Sequence, residues 1–243
     1  MTSNPTESTV IEEIAWFGPF FAVQTHPPGT HPSEPWQSLS RPLLDARVSD
    51  VRDRLAAAGG QPPAAVETRV AASVAHLGLA ARLVSPALAA AVLHGLVLAP
   101  RLADLWWQPV LGGPLPLSLP DDAFTGGGEG SLSRLADDLS SRLLDGPLRE
   151  LADAMARFSV SRHILWGNTA SAVNGAATMI TASRPEVTAR TRALTALLLE
   201  RPPLRGASAR TPGGAYRRRS CCLIYRAAPG RKGALCGDCA LSR

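Results

Sequence analysis

The sequence has few cysteines, a single lysine and no long apolar run. Its longest nearly uncharged apolar run, from Pro86 to Pro100, is interrupted by His94 and Gly95. That run is shorter than the roughly 20 residues a membrane-spanning helix requires, so we expect no membrane span. The N-terminal residues 1–10 lack the basic start and apolar stretch of a secretory signal, and we therefore expect a cytoplasmic protein.

The cysteines are confined to one short segment near the C-terminus. They are Cys221, Cys222, Cys236 and Cys239. A reducing cytoplasm disfavours structural disulfides, which directs attention to metal or redox chemistry for these thiols.

Positive charge is concentrated in the same part of the chain. Residues 201–243 contain ten basic residues and one acid, Asp238, whereas residues 1–200 contain 15 basic and 19 acidic residues. A basic tail is typical of nucleic-acid binding. It would also stabilise an anionic metal centre, because nearby cations favour added negative charge.

Helical periodicity predominates in the middle of the chain, and short connections between the helices predict a mainly α domain. The predicted helices cover 47–58, 64–83, 86–94, 131–144, 147–158 and 161–180, and a further one opens with Ser183 and Glu186 in capping-box spacing. Pro86 is expected to open a new helix.

Three stretches lack this periodicity and suggest domain boundaries. Residues 1–63 hold nine prolines and predict a mostly irregular segment packed on the body. Residues 102–119 predict a hairpin or extended pair. We therefore expect a Pro-rich segment at 1–63, a helical body at 64–201, and a linker with a C-terminal four-cysteine module at 202–243.

The spacing of the cysteines indicates a four-thiolate metal site. Thirteen residues separate Cys222 from Cys236, and Cys236-Gly237-Asp238-Cys239 is a chelating Cys-x-x-Cys turn. Neighbouring side chains of extended backbone point in opposite directions, which strains binding of both Cys221 and Cys222 to one tetrahedral zinc. This detail favours a binuclear [2Fe-2S] cluster, while zinc stays the alternative.

At this point the sequence resembles the FhuF-type ferric siderophore reductases. The resemblance rests on RRRSCCLIYR (217–226), LCGDC (235–239) and ILWGNTAS (164–171), and more loosely on WFGPFFAV (16–23) and SPALAAAVLHG (85–95). It implies a cytoplasmic oxidoreductase whose Cys221, Cys222, Cys236 and Cys239 hold a [2Fe-2S] cluster. The distance between the two cysteine pairs exceeds the family's usual spacing, and the extra length lies in AAPGRKGA (227–234).

The resemblance also implies a substrate and a reaction. The expected reaction is one-electron reduction of a ferric siderophore of the hydroxamate type, with release of Fe(II). We expect four arginines beside the cysteines to attract an acidic electron donor or an anionic chelate; they are Arg217, Arg218, Arg219 and Arg226. The electron donor is not identified by the sequence.

Small residues along the helix at 161–180 suggest where the module docks. Gly167, Ser171 and Gly175 share one face and allow another backbone to approach closely. Ordinary helix packing explains the stripe equally well. If the cysteine segment docks there, Trp166 and Asn168 lie at its edge, and Asn168 could donate a hydrogen bond to a sulfur or a substrate oxygen.

Two other functions fit parts of the sequence. A zinc-stabilised basic protein that binds nucleic acid would explain the charge, but the adjacent cysteines and the few aromatic residues of the tail disfavour it, so we expect no nucleic-acid partner. An iron-sulfur redox sensor would use the same cluster without a siderophore.

Overall fold

The computed structural model describes residues 7–39, 41–110, 113–126 and 130–242. The protein is mainly α, as the periodicity predicted, with short strands beside the helical body. The α-helices of the described residues are α1 (Glu7–Ala15), α2 (Arg41–Ala58), α3 (Thr68–His94), α4 (Leu132–Leu139), α5 (Pro147–Ala156), α6 (Arg162–Ser183) and α7 (Thr188–Leu199).

The strands form three small sheets. They are β1 (Gln24–His26), β2 (Gln37–Ser38), β3 (Leu96–Leu98), β4 (Trp106–Trp107), β5 (Leu117–Pro120), β6 (Phe124–Gly126), β7 (Ser208–Arg210) and β8 (Tyr216–Arg218). The largest sheet has the order β1-β5-β4-β2, in which β1 and β5 are parallel. Its antiparallel β4–β5 pair confirms the extended pair predicted at 102–119.

Helix α3 is the central element of the core and packs against α6, α2 and α5. The prediction of two helices divided at Pro86 is wrong, because α3 runs through Pro86 without a break. Proline removes one backbone hydrogen bond and costs about 3 kcal/mol inside a helix. Burial of almost every residue from Leu79 to Val92 offsets that cost.

Helix α3 is also long and apolar enough to cross a membrane by length and composition. However, 78 % of its most apolar window is buried inside the protein. It is therefore packed as a core helix of this fold.

The N-terminal residues are more regular than their prolines suggested. Helix α1 was not predicted, whereas the 18-residue helix α2 confirms the helix predicted at 47–58 and begins six residues earlier. Val10 and Ile14 of α1 are fully buried, and Leu44 and Val48 of α2 are almost fully buried. A spacing of four residues places each pair on one helix face, and burial of that face stabilises the helix. The prolines do not prevent these helices, because they lie outside them or in the first turn.

Two local predictions about the later helices are also corrected. The helix predicted at 131–144 is α4 followed by a π-helical turn at Ser140–Leu144. The capping box at Ser183 and Glu186 does not form, because a 3₁₀ turn at Pro185–Val187 precedes α7 and no side chain caps it. Proline at the first position favours that tight turn.

The segment predicted as a linker contains an antiparallel hairpin. Strands β7 and β8 pair with Ser208 opposite Arg218 and Arg210 opposite Tyr216. The hairpin brings the chain back to the body immediately before the first cysteine. Its position fixes where the cysteine segment lies.

Candidate metal centre

The cysteines lie on two chain segments that meet beside β8. Cys221 and Cys222 directly follow the strand, and Cys236 and Cys239 lie in a turn closed by a hydrogen bond from the amide of Cys239 to the carbonyl of Cys236, 3.1 Å. The amide of Arg218 donates to the carbonyl of Asp238, also at 3.1 Å. This bond ties the second cysteine pair to the strand that leads into the first.

The four thiols are free, and two of them are in contact. Cys222 and Cys239 are buried, whereas Cys221 and Cys236 are partly exposed. The Sγ atoms of Cys222 and Cys236 lie 3.6 Å apart. Two sulfurs bound to one tetrahedral metal at about 2.3 Å lie about 3.8 Å apart, so this pair already has the separation of two ligands on one ion.

Backbone amides point at the other two sulfurs. Leu223 donates to Sγ of Cys221 and Leu241 donates to Sγ of Cys239, each at 3.3 Å. Leu223 has a positive φ of 70°, which turns the backbone sharply after the adjacent cysteines. Hydrogen bonds to thiolate sulfurs stabilise the anionic form and tune iron-sulfur potentials.

Two of the thiols, Cys221 and Cys236, hold their protons more tightly than a free thiol does, because their pKa values are raised. Burial raises the pKa of Cys236, and the neighbouring Cys222 raises it further. Burial also raises the pKa of Cys221, against the lowering effect of the hydrogen bond from the Leu223 amide and a smaller one from Arg218. Metal binding at these cysteines would therefore release protons.

A buried arginine lies behind the thiols. Arg218 is 1 % exposed, and its Nη2 donates to Oδ1 of Asn168. Among the described residues its Nε and Nη1 have no hydrogen-bond partner and it forms no ion pair. A buried cation without an anion is strongly destabilising. Arg218 therefore needs a negative partner that the surrounding side chains do not supply.

Polar groups connect this arginine to the cysteine backbone. Asn168 donates through Nδ2 to the carbonyl of Ser73 at 2.9 Å, and the hydroxyl of Ser73 donates to the carbonyl of Cys222 at 2.8 Å. His76 is buried nearby, and burial followed by the charge of Arg218 lowers the pKa of His76 to about 3. The histidine is therefore neutral, and Arg218 is the cation of this network.

These observations test whether the residues present fit a cluster. The donor set is four thiols, the ligand number of a [2Fe-2S] cluster, and Cys222 and Cys236 already lie with their sulfurs 3.6 Å apart. Within the described residues, no three His, Cys, Asp or Glu side chains form a group that could hold one metal ion. An anionic cluster would also supply the negative partner that Arg218 lacks, so the donor set and its surroundings fit the group.

The cysteine segment docks on the small-residue stripe of α6. A Cβ on Gly167 would lie 1.9 Å from Oγ of Ser220, and the hydroxyl of Ser171 donates to the carboxylate of Asp238. No atom lies within 4 Å of the corresponding position at Gly175. The first two stripe residues therefore contact the module, and the third faces open space.

Several predicted contact residues are buried in the structure. Arg218 and Asn168 are 1 % and 0 % exposed, so their burial disfavours direct contact with a substrate or donor, which stays a prediction. Their side chains are taken up by the polar network behind the thiols. Trp166 is also buried, with the guanidinium of Arg149 5.7 Å from its ring centroid.

The other predicted arginines differ from one another. Arg217 donates to the carbonyls of Ala240 and Ser242, and Arg226 forms an ion pair with Glu67 at 2.7 Å. Arg219 is exposed. Of the four arginines, Arg219 is the one whose charge faces solvent most fully.

Sequence reasoning missed the residue of α3 that supports the module. Ser73 is fully buried, and its hydroxyl bonds the carbonyl of Cys222. A buried polar residue within a mostly apolar helix was the available signal, because buried polar groups need specific partners. His76 is also fully buried, but its ring nitrogens have no hydrogen-bond partner among the described residues.

A comparison with protein families gives one match. Residues 218–241 match the family model described as the FhuF 2Fe-2S C-terminal domain. A comparison with curated proteins finds no match to the chain. The matched range begins at Arg218 and contains all four cysteines, and the C-terminal module is therefore a [2Fe-2S]-binding domain.

Proposed function

We propose, on the premise that residues 218–241 are a FhuF-type 2Fe-2S domain, that this chain is a cytoplasmic ferric siderophore reductase. The proposal rests on the family match itself. The matched residues include the four cysteines and the buried cation Arg218, which has no anionic partner among the described residues. The family is associated with redox activity, and the resemblance of the remaining chain points to hydroxamate siderophores as substrates.

The reaction follows from the chemistry of the chelate. A siderophore binds Fe(III) through hard oxygen ligands, and one added electron converts the metal to Fe(II), which these ligands hold far less tightly. The electron comes from a donor protein or reductant, and the products are Fe(II) and the free chelator. A [2Fe-2S] cluster supplies one-electron exchange when bound.

The four cysteines are the proposed ligands, and their surroundings set the charge balance. The amides of Leu223 and Leu241 and the buried guanidinium of Arg218 all stabilise negative charge on the sulfurs. Because that stabilisation grows with added negative charge, these groups favour acceptance of an electron.

The exposed side of the module provides access. Cys221 and Cys236 are partly exposed, and Arg219 and Lys232 are exposed on the same module. Their positive charge would attract an acidic electron donor, with a rate that falls as salt concentration rises.

The test is a single-turnover reduction under anaerobic conditions. Protein isolated without oxygen is expected to contain iron and inorganic sulfide and to bleach on reduction with dithionite. Adding a ferric trihydroxamate should restore the colour and release Fe(II), which a ferrous chelator detects. A Cys236→Ser variant and the redox-inert gallium(III) complex are the controls.

Each contrary outcome identifies a different error. If the ferric complex does not reoxidise an intact reduced cluster, a redox sensor is the better description of the protein. Stoichiometric zinc without sulfide would contradict the cluster and favour the zinc-stabilised protein.

A further inference from the structure

An apolar cleft opens on the side of α6 that continues beyond the cysteine module. It has a volume of about 630 Å³ and lies between α6, α3 and the loop after α1. This is within the size range of small-molecule sites. Among the described residues that line it, none is charged, and its walls include Phe17, Phe20, Phe21, Leu77, Ala176 and Met179.

A buried arginine holds the loop after α1, which forms one wall of the cleft. Arg82 of α3 is buried, and its guanidinium donates to the carbonyls of Pro19 at 3.0 Å, Phe20 at 2.5 Å and Ala22 at 2.8 Å. Three bonds from one buried cation fix the backbone that presents the aromatic rings. The cleft is thus pre-organised, which lowers the ordering cost of binding.

The rim of the cleft exposes apolar side chains to solvent. Phe20 is 39 % exposed and Met179 is 49 % exposed. Exposed apolar groups around a concave surface mark a ligand site more often than a free surface.

The cleft adjoins the metal centre through one residue. Ser171 lines the cleft, and its hydroxyl binds Asp238, which lies between Cys236 and Cys239 in the chain. Gly175, one turn further along α6, also lines the cleft. A molecule bound here would lie against the same helix face that receives the cysteine turn.

The lining selects the charge of the ligand. Its polar groups are hydroxyls, from Ser85, Ser171 and Thr178. A ferric complex of three hydroxamates has no net charge, whereas a ferric tris-catecholate is a trianion. Transferring the trianion into a wall without cations would cost far more desolvation free energy.

We propose that this cleft binds the apolar face of a neutral ferric hydroxamate and holds it beside the cysteine module. The ligand class rests on the proposed function. The placement rests on the cleft, its rigid aromatic wall and the Ser171–Asp238 contact. The cleft thereby assigns substrate selection to α6, α3 and the loop after α1, while the cysteine module serves electron transfer.

The test measures binding without electron transfer. Gallium(III) desferrioxamine E, a neutral cyclic trihydroxamate complex, is titrated into the cluster-containing protein by calorimetry. Gly175→Leu places a side chain in the open space of the cleft, and the change also favours the helix. We expect it to weaken binding by at least about tenfold, because the added atoms occupy the ligand's volume.

Matched variants separate a filled cleft from a disturbed helix. Gly175→Ala should bind nearly as well as the wild type, and Ala182→Leu, which adds the same kind of bulk at an exposed position of α6 outside the cleft, should leave binding unchanged. The visible spectrum should stay that of the wild type in all three. A gallium(III) tris-catecholate should bind at least about tenfold more weakly than the trihydroxamate.

The outcomes distinguish this proposal from the proposed function. The proposed binding site is overturned if Gly175→Leu binds as well as the wild type, or if the wild type does not bind the complex. It is also overturned if the complex changes the oligomeric state without occupying the cleft. These outcomes hold whether or not the protein reduces ferric complexes. Binding that depends on Gly175, in a protein that releases no Fe(II), supports the cleft and contradicts the reductase. Equal binding of the tris-catecholate overturns the assigned ligand class.

Discussion

Arg218 is the residue whose position the structure explains least without a bound anion. Its guanidinium is buried, and within the described part of the chain the bond to Asn168 is the only hydrogen bond that this guanidinium makes. An arginine in such a place is retained at a cost to the metal-free fold. The same cation becomes favourable once four thiolates beside it hold iron, because it stabilises their negative charge.

We predict that Arg218→Gln lowers the reduction potential of the cluster. Reduction adds one negative charge, and removing a buried cation stabilises the oxidised form relative to the reduced form. The expected shift is at least about 60 mV, which is a tenfold change in a one-electron equilibrium. Spectroelectrochemical titration of the purified protein measures it.

The exposed neighbour supplies the control for this prediction. Arg219→Gln removes the same charge from the solvent-facing side, and we expect a smaller shift that disappears as salt is added. Equal shifts from both variants would show that overall charge, and not burial, sets the effect of Arg218.

The cysteines could be predicted from the sequence, but the roles of the arginines could not. Spacing alone brings Cys221, Cys222, Cys236 and Cys239 together as a ligand set. Arg217, Arg218 and Arg219 are identical in type and adjacent in the chain. Only the pairing of β8 with β7 and its approach to α6 determine that the middle arginine turns inward.

At the scale of secondary structure, α6 joins the two proposed parts of the site. Its buried polar residue Asn168 contacts Arg218 behind the thiols, and Ser171 contacts the cysteine turn. Gly167 allows this approach, because any side chain there would overlap Ser220. Helix geometry places residues 167, 171 and 175 along one face.

We predict that Gly167→Ala weakens attachment of the cysteine module, whereas Gly175→Ala does not. The new methyl at 167 would have to displace Ser220, and overpacking of this kind costs about 1–3 kcal/mol. The methyl at 175 meets no atom within 4 Å. Both changes improve helix propensity, so the pair isolates the steric effect.

Thermal unfolding and the rate of iron loss to a chelator measure this difference. We expect faster iron loss from Gly167→Ala and wild-type behaviour from Gly175→Ala. Similar loss from both variants would show that the module does not depend on close approach to α6. Partial rescue by adding Ser220→Gly would identify the overlapping atom directly.

The helices show which elements a sequence predicts and why others escape. The spans of α5 and α6 follow from their apolar period and starting residues, Pro147 and Ser161. The unbroken α3 could not be predicted locally, because burial on several sides compensates for Pro86. The cleft likewise arises from packing between distant segments and has no pattern of its own in the sequence.

At the scale of the whole molecule, the cysteine module and the helical body depend on different interactions. The main hydrophobic core is formed by residues of the helices and the central strands, and none of the cysteines belongs to it. The start of the C-terminal segment belongs to the main core through Leu204 and Ala207, whereas its cysteine-bearing part packs on a small second cluster of Ala56, Val66, Val70 and Ala227. Ion pairs from Glu67 to Arg226 and Arg231 add to this attachment. We therefore propose that residues 202–243 behave as a module attached to the body.

We predict that removing the cluster loosens this module and leaves the body folded. Extraction of iron by an anaerobic chelator leaves Arg218 as a buried charge with no anionic partner, which destabilises the packing around β8. The core of α3, α5 and α6 loses no contact with a ligand, so its hydrogen bonds should persist. Hydrogen exchange should accelerate within residues 216–241, while the far-ultraviolet circular dichroism retains most of its helical signal.

The Arg218→Gln variant provides the internal check on this account. If the unpaired charge drives the loosening, the metal-free variant should exchange more slowly around β8 than the metal-free wild type, although its cluster is harder to reduce. If instead chelation unfolds α3 and α6 together with the tail, cluster binding and folding of the body are one transition, as in small metal-dependent domains. The two results assign opposite roles to the helical body: in the first it is a stable platform that presents a cleft to the substrate, and in the second its cleft exists only while iron is bound.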